Sequence, residues 1–207
     1  MDVHREALPT QTERLLPSLA VLPSLTQFYL AGGTGLALEL GHRISGDLDF
    51  FSKEPFEEAP LIEKLSRFPE FRLEKKGEQS VLASALGVKL SFLGYPYPLL
   101  FPTQDALGLC VADLRDIACM KIDAVGSRGA KRDFIDLYWI FRTTLTLQEA
   151  LQLFEKKYAS LRYNMMHMKK SLIYFEDAES DPMPQMLMAT SWDEVKAFFE
   201  REIKRLL

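Results

Sequence analysis

The sequence predicts an α+β fold: a mixed β-sheet flanked by helices, with a helical C-terminal region. Three observations predict it. A strand, a glycine turn and a short helix fill residues 27–40, and a second strand follows at 47–51. Three strand-like segments then succeed one another at 71–75, 80–86 and 88–93. Beyond residue 145 the apolar spacing is helical throughout, apart from an acidic, proline-containing stretch at 176–184. Strands first and helices last is the order of a sheet with segregated helices.

Each element has its own justification. Residues 8–22 read as a helix with Leu15, Leu16, Leu19 and Leu22 on one stripe and Pro17 near its middle or start. Gln27, Phe28, Tyr29 and Leu30 form a short buried strand ended by Ala31-Gly32-Gly33. A helix rich in Ala and Leu then runs over 34–40, with Thr34 suited to be its N-cap and Gly41 its C-cap. The polar loop 42–46 leads to the strand at 47–51. A helix starting near Pro60 covers Leu61, Ile62 and Leu65. Lys76-Gly77 and Gly87 separate the next three strands, which implies antiparallel hairpins or a meander. Pro96, Pro98 and Pro102 mark an irregular crossing to a helix at 113–125, capped by Asp113 and carrying Leu114, Ile117, Ala118 and Lys121 on one stripe. A second helix spans 131–141. The expected division is a core at 1–142 and a helical region at 143–207 packed on it.

Bulk properties narrow the function. Hydrophobic residues make up 47% of 207, enough for a packed core. No apolar run approaches the ~18–20 residues of a membrane span, and the polar start lacks a secretory signal's apolar centre, so a soluble, cytoplasmic protein is expected. Net charge is -4. Residues 1–60 hold 4 basic and 9 acidic side chains, so the rest of the chain is close to balanced. No segment is a basic stripe, which fits a small-molecule or nucleotide site better than tight duplex binding. Cys110 and Cys119 lie in apolar surroundings and are expected to be buried, reduced thiols. His4, His42 and His167 have no metal-ligand spacing, which argues against a zinc enzyme.

Asp47 and Asp49 are the sharpest chemical feature. Residues two apart on a strand point to the same face, so both carboxylates project together toward one or two divalent cations. A hard cation such as Mg²⁺ takes oxygen ligands and completes its shell with phosphate and water. Gly32-Gly33-Thr34 lies between a strand and a helix, where free backbone N–H groups and the helix dipole favour an anion. The dinucleotide fingerprint fails, because Leu38 stands where its third glycine would be, and no GKS or GKT triplet of a P-loop occurs. A second constellation gathers Lys121, Asp123, Arg128, Lys131, Arg132, Asp133 and Asp136. Lys121 falls on an otherwise apolar stripe, and Asp133 and Asp136 share a helix face within reach of Lys131 or Arg132. Either a salt-bridge network or phosphate binding accounts for this group, the network being favoured for Asp123 and Arg132. The methionines Met165, Met166, Met168, Met183, Met186 and Met188 fit core packing or an adaptable contact surface.

The stretch from Leu30 to Phe51, LAGGTGLALELGHRISGDLDFF, resembles the first motif of the AbiEii/AbiGii toxin family of nucleotidyltransferase-like proteins. Arg128 to Tyr138, RGAKRDFIDLY, together with Lys121, resembles its later motifs. The likeness spans about residues 25–142. It implies a nucleotidyltransferase-like fold with a nucleoside triphosphate and Mg²⁺ site, in which Gly32, Gly33 and Thr34 hold phosphates and Asp47 and Asp49 hold the metal. Lys121, Arg128 and Lys131 would then stabilise phosphate charge, with Asp136 at the site edge. It also implies the toxic half of a toxin–antitoxin pair, with a separate antitoxin and an acceptor hydroxyl on RNA, protein or a small molecule.

One position departs from that pattern. Active nucleotidyltransferases often carry a third carboxylate on a neighbouring strand, and the corresponding strand, 88–93, holds Ser91 there. A hydroxyl is a poor general base without activation. Two functions therefore stand side by side: a Mg²⁺-dependent nucleotidyltransferase, and a non-catalytic nucleotide- or partner-binding module on the same fold.

Overall fold

The computed structural model describes residues 3–206, which divide into two compact units. The first comprises the chain to Pro98 together with Pro102–Ala112. Its centre is a seven-stranded sheet of β1 (Tyr29–Ala31), β2 (Leu48–Ser52), β3 (Arg72–Gly77), β4 (Ser80–Ala85), β5 (Val88–Gly94), β6 (Gln104–Ala106) and β7 (Leu109–Val111), in the order β3-β4-β5-β2-β1-β7-β6. β2 runs parallel to β5 and β1 parallel to β7, while the other neighbours are antiparallel, so the sheet is mixed as expected.

Alternation along the strands gives the sheet one apolar face. Leu48, Phe50, Val81, Ala83, Ala85, Val88, Leu90 and Phe92 are all buried. All of these but Ala83 share one core with Leu15, Leu16 and Leu19 of α1 (Thr10–Ala20) and Leu61 and Leu65 of α3 (Glu58–Leu65). Phe50 stacks on Phe92 across β2 and β5 with ring centres 5.0 Å apart. Each such fully buried side chain contributes about 1.5–3 kcal/mol. The intervening residues, Asp49, Phe51, Leu82, Ser84 and Ser91, are only half-buried.

Three local expectations change. The first strand is Tyr29–Ala31, because Pro23 starts a 3₁₀ turn that consumes the chain through Gln27. The helix after it, α2 (Gly32–Leu40), starts two residues earlier than predicted, with Ala31 rather than Thr34 at the N-cap. Its end is as predicted: Gly41 sits at φ 61, the left-handed conformation glycine adopts without strain. Finally, the β6–β7 hairpin is new. Its two-residue turn, Leu107-Gly108, has positive φ at both positions, and a leucine there hides the usual Asn-Gly signal.

The second unit comprises Leu99–Phe101 and the chain from Asp113 on. It is built from α4 (Leu114–Arg128), α5 (Lys131–Thr143), α6 (Leu147–Lys157), α7 (Met165–Ser171), α8 (Glu176–Glu179) and α9 (Trp192–Lys204). The division thus falls after Ala112, and α4 and α5 pack with the C-terminal helices instead of ending a unit near residue 142. Phe134 of α5 explains why: its ring meets Phe175 at 5.2 Å and Phe199 of α9 at 5.6 Å. Asp113 caps α4 as predicted, accepting from the Arg115 amide, and reciprocal capping boxes start α6 (Thr146, Glu149) and α9 (Ser191, Glu194). The stretch 176–184 holds the one-turn α8, and residues 180–190 are non-helical. Met168 is core, while Met166, Met183 and Met188 are exposed. Cys119 is buried but Cys110, on the outward side of β7, is exposed, correcting the expectation of two buried thiols. Among the described residues no helix is long and apolar enough to cross a membrane.

Candidate active site

In the first unit the strand period and the glycine turn meet. Asp49 pairs with Ala31 across β1 and β2, so the strand carboxylate lies beside the residue that opens α2. The contact is close: a Cβ on Gly32 would stand 2.8 Å from Asp49 Oδ2, and Gly32 sits at φ 64. Both facts require glycine there. Asp47 immediately precedes β2 and is exposed, whereas Asp49 is half-buried. No side chain caps the N-terminus of α2, so the turn presents backbone to whatever approaches the carboxylates.

Thr34 has a different task from the one its sequence position implied. It is fully buried, and its hydroxyl donates to the Asp47 carbonyl at 2.5 Å and lies 3.0 Å from Ser45 Oγ. The hydroxyl therefore ties the first turn of α2 to the entry of β2, which fixes Asp47 relative to the glycine turn. Arg43 and Ser45 complete this tie and were not singled out in the sequence. A Cβ on Gly33 would fall 2.4 Å from Arg43 Nη2 and 3.0 Å from Ser45 Oγ, so the guanidinium covers the second glycine. Arg43 is buried and also donates to the Ile44 carbonyl. The only signal for it was its place in the short loop between two motif elements.

Ser91 lies where the sequence put it. β5 runs parallel to β2 with Asp49 opposite Ser91, so the neighbouring strand offers a hydroxyl beside the half-buried carboxylate. Among the described residues no group of three His, Cys, Asp or Glu is arranged to hold a metal ion.

In the second unit α4 and α5 bring together Lys121, Arg128, Asp133 and Asp136. Lys121 Nζ reaches Asp133 Oδ1 at 2.7 Å and Asp136 Oδ2 at 2.6 Å, with both carboxylates sealed from solvent. Arg128 holds Asp133 with two bonds, Nε at 2.8 Å and Nη2 at 3.0 Å. Burial pushes the Asp133 carboxyl up, but Lys121 and then Arg128 outweigh it and hold it below the usual carboxylate range. The expected partners of these carboxylates, Lys131 and Arg132, are not the observed ones. Lys131 is buried and donates to the Glu179 and Asp181 carbonyls, while its amide bonds Asp181 Oδ2, and Arg132 is exposed. Asp123 accepts from the Tyr163 hydroxyl. A further ion pair escaped the sequence altogether: Lys157 and Asp116, both fully buried, meet at 2.7 Å, and Asp116 also accepts the Leu100 and Phe101 amides at 3.0 Å. Forty-one residues separate the two charges, and no local pattern links them.

The chain is similar to several known proteins in sequence and in fold. A protein of Aquifex aeolicus is 35% identical over 205 residues, covering 97% of this chain and 98% of its own. The fold is similar to that of MenT4, a nucleotidyltransferase toxin from Mycobacterium tuberculosis (TM-score 0.60, 16% identity, 94% of this chain and 84% of that one). It is also similar to JHP933 from Helicobacter pylori (TM-score 0.56, 19% identity, 99% and 93%). The model of the family described as "Nucleotidyl transferase AbiEii toxin, Type IV TA system" matches residues 14–96 and 91–204. With that match running over nearly the whole chain, the protein belongs to the AbiEii nucleotidyltransferase toxin family.

Proposed function

We propose that the protein is a Mg²⁺-dependent nucleotidyltransferase that moves a nucleotide from a nucleoside triphosphate to a hydroxyl acceptor, acting as the toxin of a toxin–antitoxin pair. The observation that carries this reading is the seating of the Asp49 carboxylate against Gly32, with the exposed Asp47 two residues earlier in the chain. Two carboxylates of unequal exposure, next to an uncapped helix N-terminus, suit a hard cation whose remaining ligands are phosphate oxygens and water. Such a cation would neutralise charge on the triphosphate and hold it in line for displacement. The chain's own part is positional. Gly32 leaves room for the Asp49 carboxylate and Gly33 for the Arg43 guanidinium, the N–H groups of the turn would meet phosphate oxygens, Thr34 and Ser45 tie Asp47 to the turn, and Asp49 is pinned by its β-ladder pairing. The acceptor oxygen forms a bond to the α-phosphorus as the bond to the bridging oxygen breaks, and pyrophosphate leaves. The hydroxyl proton passes to solvent water, since Asp47 and Asp49 would hold the metal and β5 offers only Ser91 beside them.

The register of Ser91 beside Asp49 also favours a second reading, a nucleotide-binding module that does not catalyse transfer. One experiment separates them. Each triphosphate labelled at the α-phosphate is incubated with protein, Mg²⁺ and total RNA, and label transfer and pyrophosphate release are followed. Transfer that disappears in Asp47→Asn/Asp49→Asn supports the enzyme. Metal-dependent binding without pyrophosphate release selects the module. Induced expression that leaves growth unchanged would remove the toxin assignment, and a neighbouring gene that relieves arrest would identify the antitoxin.

A further inference from the structure

Lys121 and Lys131, the lysines that the motifs nominate for phosphate, are buried and bonded to carboxylates or backbone carbonyls within the second unit. The sheet of the first unit carries other cations on the face that bears Asp49. Strand register identifies them, because residues paired across a ladder project to one side. Asp49 pairs with Ser91, Ser91 with Leu82 and Leu82 with Lys75, which places Lys75 on the carboxylate face at the sheet edge. In the adjacent row Lys89 pairs with Ser84 and Ser84 with Arg72. Lys89, two residues before Ser91, shares its side of β5, next to the start of β2 where Asp47 lies.

A register shift in β3 produces this arrangement. Leu73 pairs with Ala83, and the next pair is Lys75 with Leu82, so Glu74 is an extra residue without a partner of its own on β4. In an unbroken ladder Glu74 would sit opposite Leu82, and Lys75 would stand opposite Val81 on the apolar side. Bulges of this kind re-aim side chains next to functional sites. Arg72, Lys75 and Lys89 are all exposed, and no ion pair or side-chain hydrogen bond engages any of them among the described residues. Ser80, Ser84 and Ser91 lie between them on the same face. The strip reaches three strands out from β2, about 14 Å at the usual ~4.8 Å strand spacing.

We propose that Lys89, Arg72 and Lys75 form a phosphate-binding strip that carries a polyanionic ligand across the sheet from the Asp47–Asp49 pair to its edge. The shared chemistry is phosphate, from the phosphodiester backbone of a single-stranded nucleic acid acceptor or from the triphosphate itself. The proposal rests on the carboxylate-face reading above, and it is tested separately from it. Three exposed cations with no carboxylate partner release counterions when they neutralise phosphates, so binding here weakens with salt.

The test compares the wild-type chain with Arg72→Gln/Lys75→Gln/Lys89→Gln, single Lys89→Gln, Lys75→Arg/Lys89→Arg, and Lys76→Gln as a control. Lys76 pairs with Val81 and so belongs to the opposite side of the same strand. The probes are a fluorescein-labelled oligouridylate of about 12 nucleotides, within the range one binding face tracks, and each of the four triphosphates with Mg²⁺. The triple variant should bind the oligonucleotide at least about tenfold more weakly, with the log–log salt slope falling by about 2 for three lost contacts. Lys89→Gln should give part of that loss, the arginine variant should keep affinity, and Lys76→Gln should not change it. Weaker oligonucleotide binding with triphosphate binding intact assigns the strip to an acceptor backbone, and the reverse assigns it to the triphosphate. Unchanged affinity for both probes in the triple and single variants, or an equal loss in Lys76→Gln, overturns the proposal. Triphosphate binding that survives Asp47→Asn/Asp49→Asn would instead overturn the carboxylate reading, whatever the strip variants do.

Discussion

The amino group of Lys121 lies 2.7 Å from Asp133, at a point where the lysine is almost, and the aspartate fully, closed to solvent. Asp136 stands on its other side at 2.6 Å, so one buried cation serves two carboxylates, with Arg128 reinforcing the first from a more exposed position. Removing the cation leaves two buried carboxylates without the lysine they share. Lys121→Met should therefore destabilise the second unit by about 3–5 kcal/mol at neutral pH, read from urea unfolding followed by circular dichroism. A loss below about 1 kcal/mol, the range of exposed pairs, would contradict the sealed network.

The same network sets an acid limit. The Asp133 pKa is depressed in the folded state, and so is that of Asp113, where burial raises it but the bonds from Arg115 outweigh burial. Groups depressed on folding add stability above the unfolded carboxylate value of about 3.9, and lose it as pH falls through the folded value. Wild-type stability should fall below about pH 4. In Lys121→Met the dependence should reverse, because Asp133, left with burial and only the exposed Arg128, gains from protonation. Its deficit should be largest at pH 7 and shrink toward pH 4. A deficit independent of pH would refute the assignment to buried charge.

Asp116 and Lys157 form a second sealed pair, and Asp116 additionally anchors the Leu100 and Phe101 amides. Asp116→Ala should cost about 3–5 kcal/mol, while Asp116→Ala/Lys157→Met should cost less than the sum of the single changes. Additive losses in this double-mutant cycle would mean that the two side chains do not interact energetically.

Gly32→Ala tests the glycine turn. The new Cβ meets Asp49 Oδ2 at 2.8 Å, and the left-handed φ adds about 1–2 kcal/mol of strain. Melting temperature should drop, and triphosphate-dependent stabilisation should drop with it, because Asp49 must move. Full retention of nucleotide response would show that Asp49 does not depend on this contact.

The cysteines should differ in reactivity. Burial pushes the Cys119 thiol up to about 12, although Lys157 nearby pulls the other way, whereas Cys110 is exposed. Under native conditions a thiol-specific disulfide reagent should titrate one group per chain rapidly, and the second only in denaturant. Two fast thiols would show that α4 opens readily.

Several elements were legible because their signals are local. The two-residue period of a strand separates Leu48 and Phe50, which are buried, from Asp49 and Phe51, which are half-buried. Asp113 announces the start of α4, Gly41 the end of α2, and Ser91 its place opposite Asp49 once β5 is aligned with β2. Where a signal was ambiguous, a competing local interaction won. Thr34 fits an N-cap by type, but its hydroxyl finds the Asp47 carbonyl instead. Leu107 is an unlikely residue for positive φ, so the β6–β7 turn left no mark in the sequence.

By itself the sequence determined the α+β class, the glycine turn after the first strand and the family, since the signals for each lie in short stretches of chain. Only the tertiary structure decided which charges meet. Lys121 chose Asp133 and Asp136 over solvent, Lys157 found Asp116 from 41 residues away, and a single extra residue at Glu74 aligned Lys75 with Leu82 on the carboxylate face. A charge carries no record of its partner along the chain. The pairing is fixed by register and helix packing, because a buried ion is tolerated only where the fold brings its counter-ion within hydrogen-bonding distance.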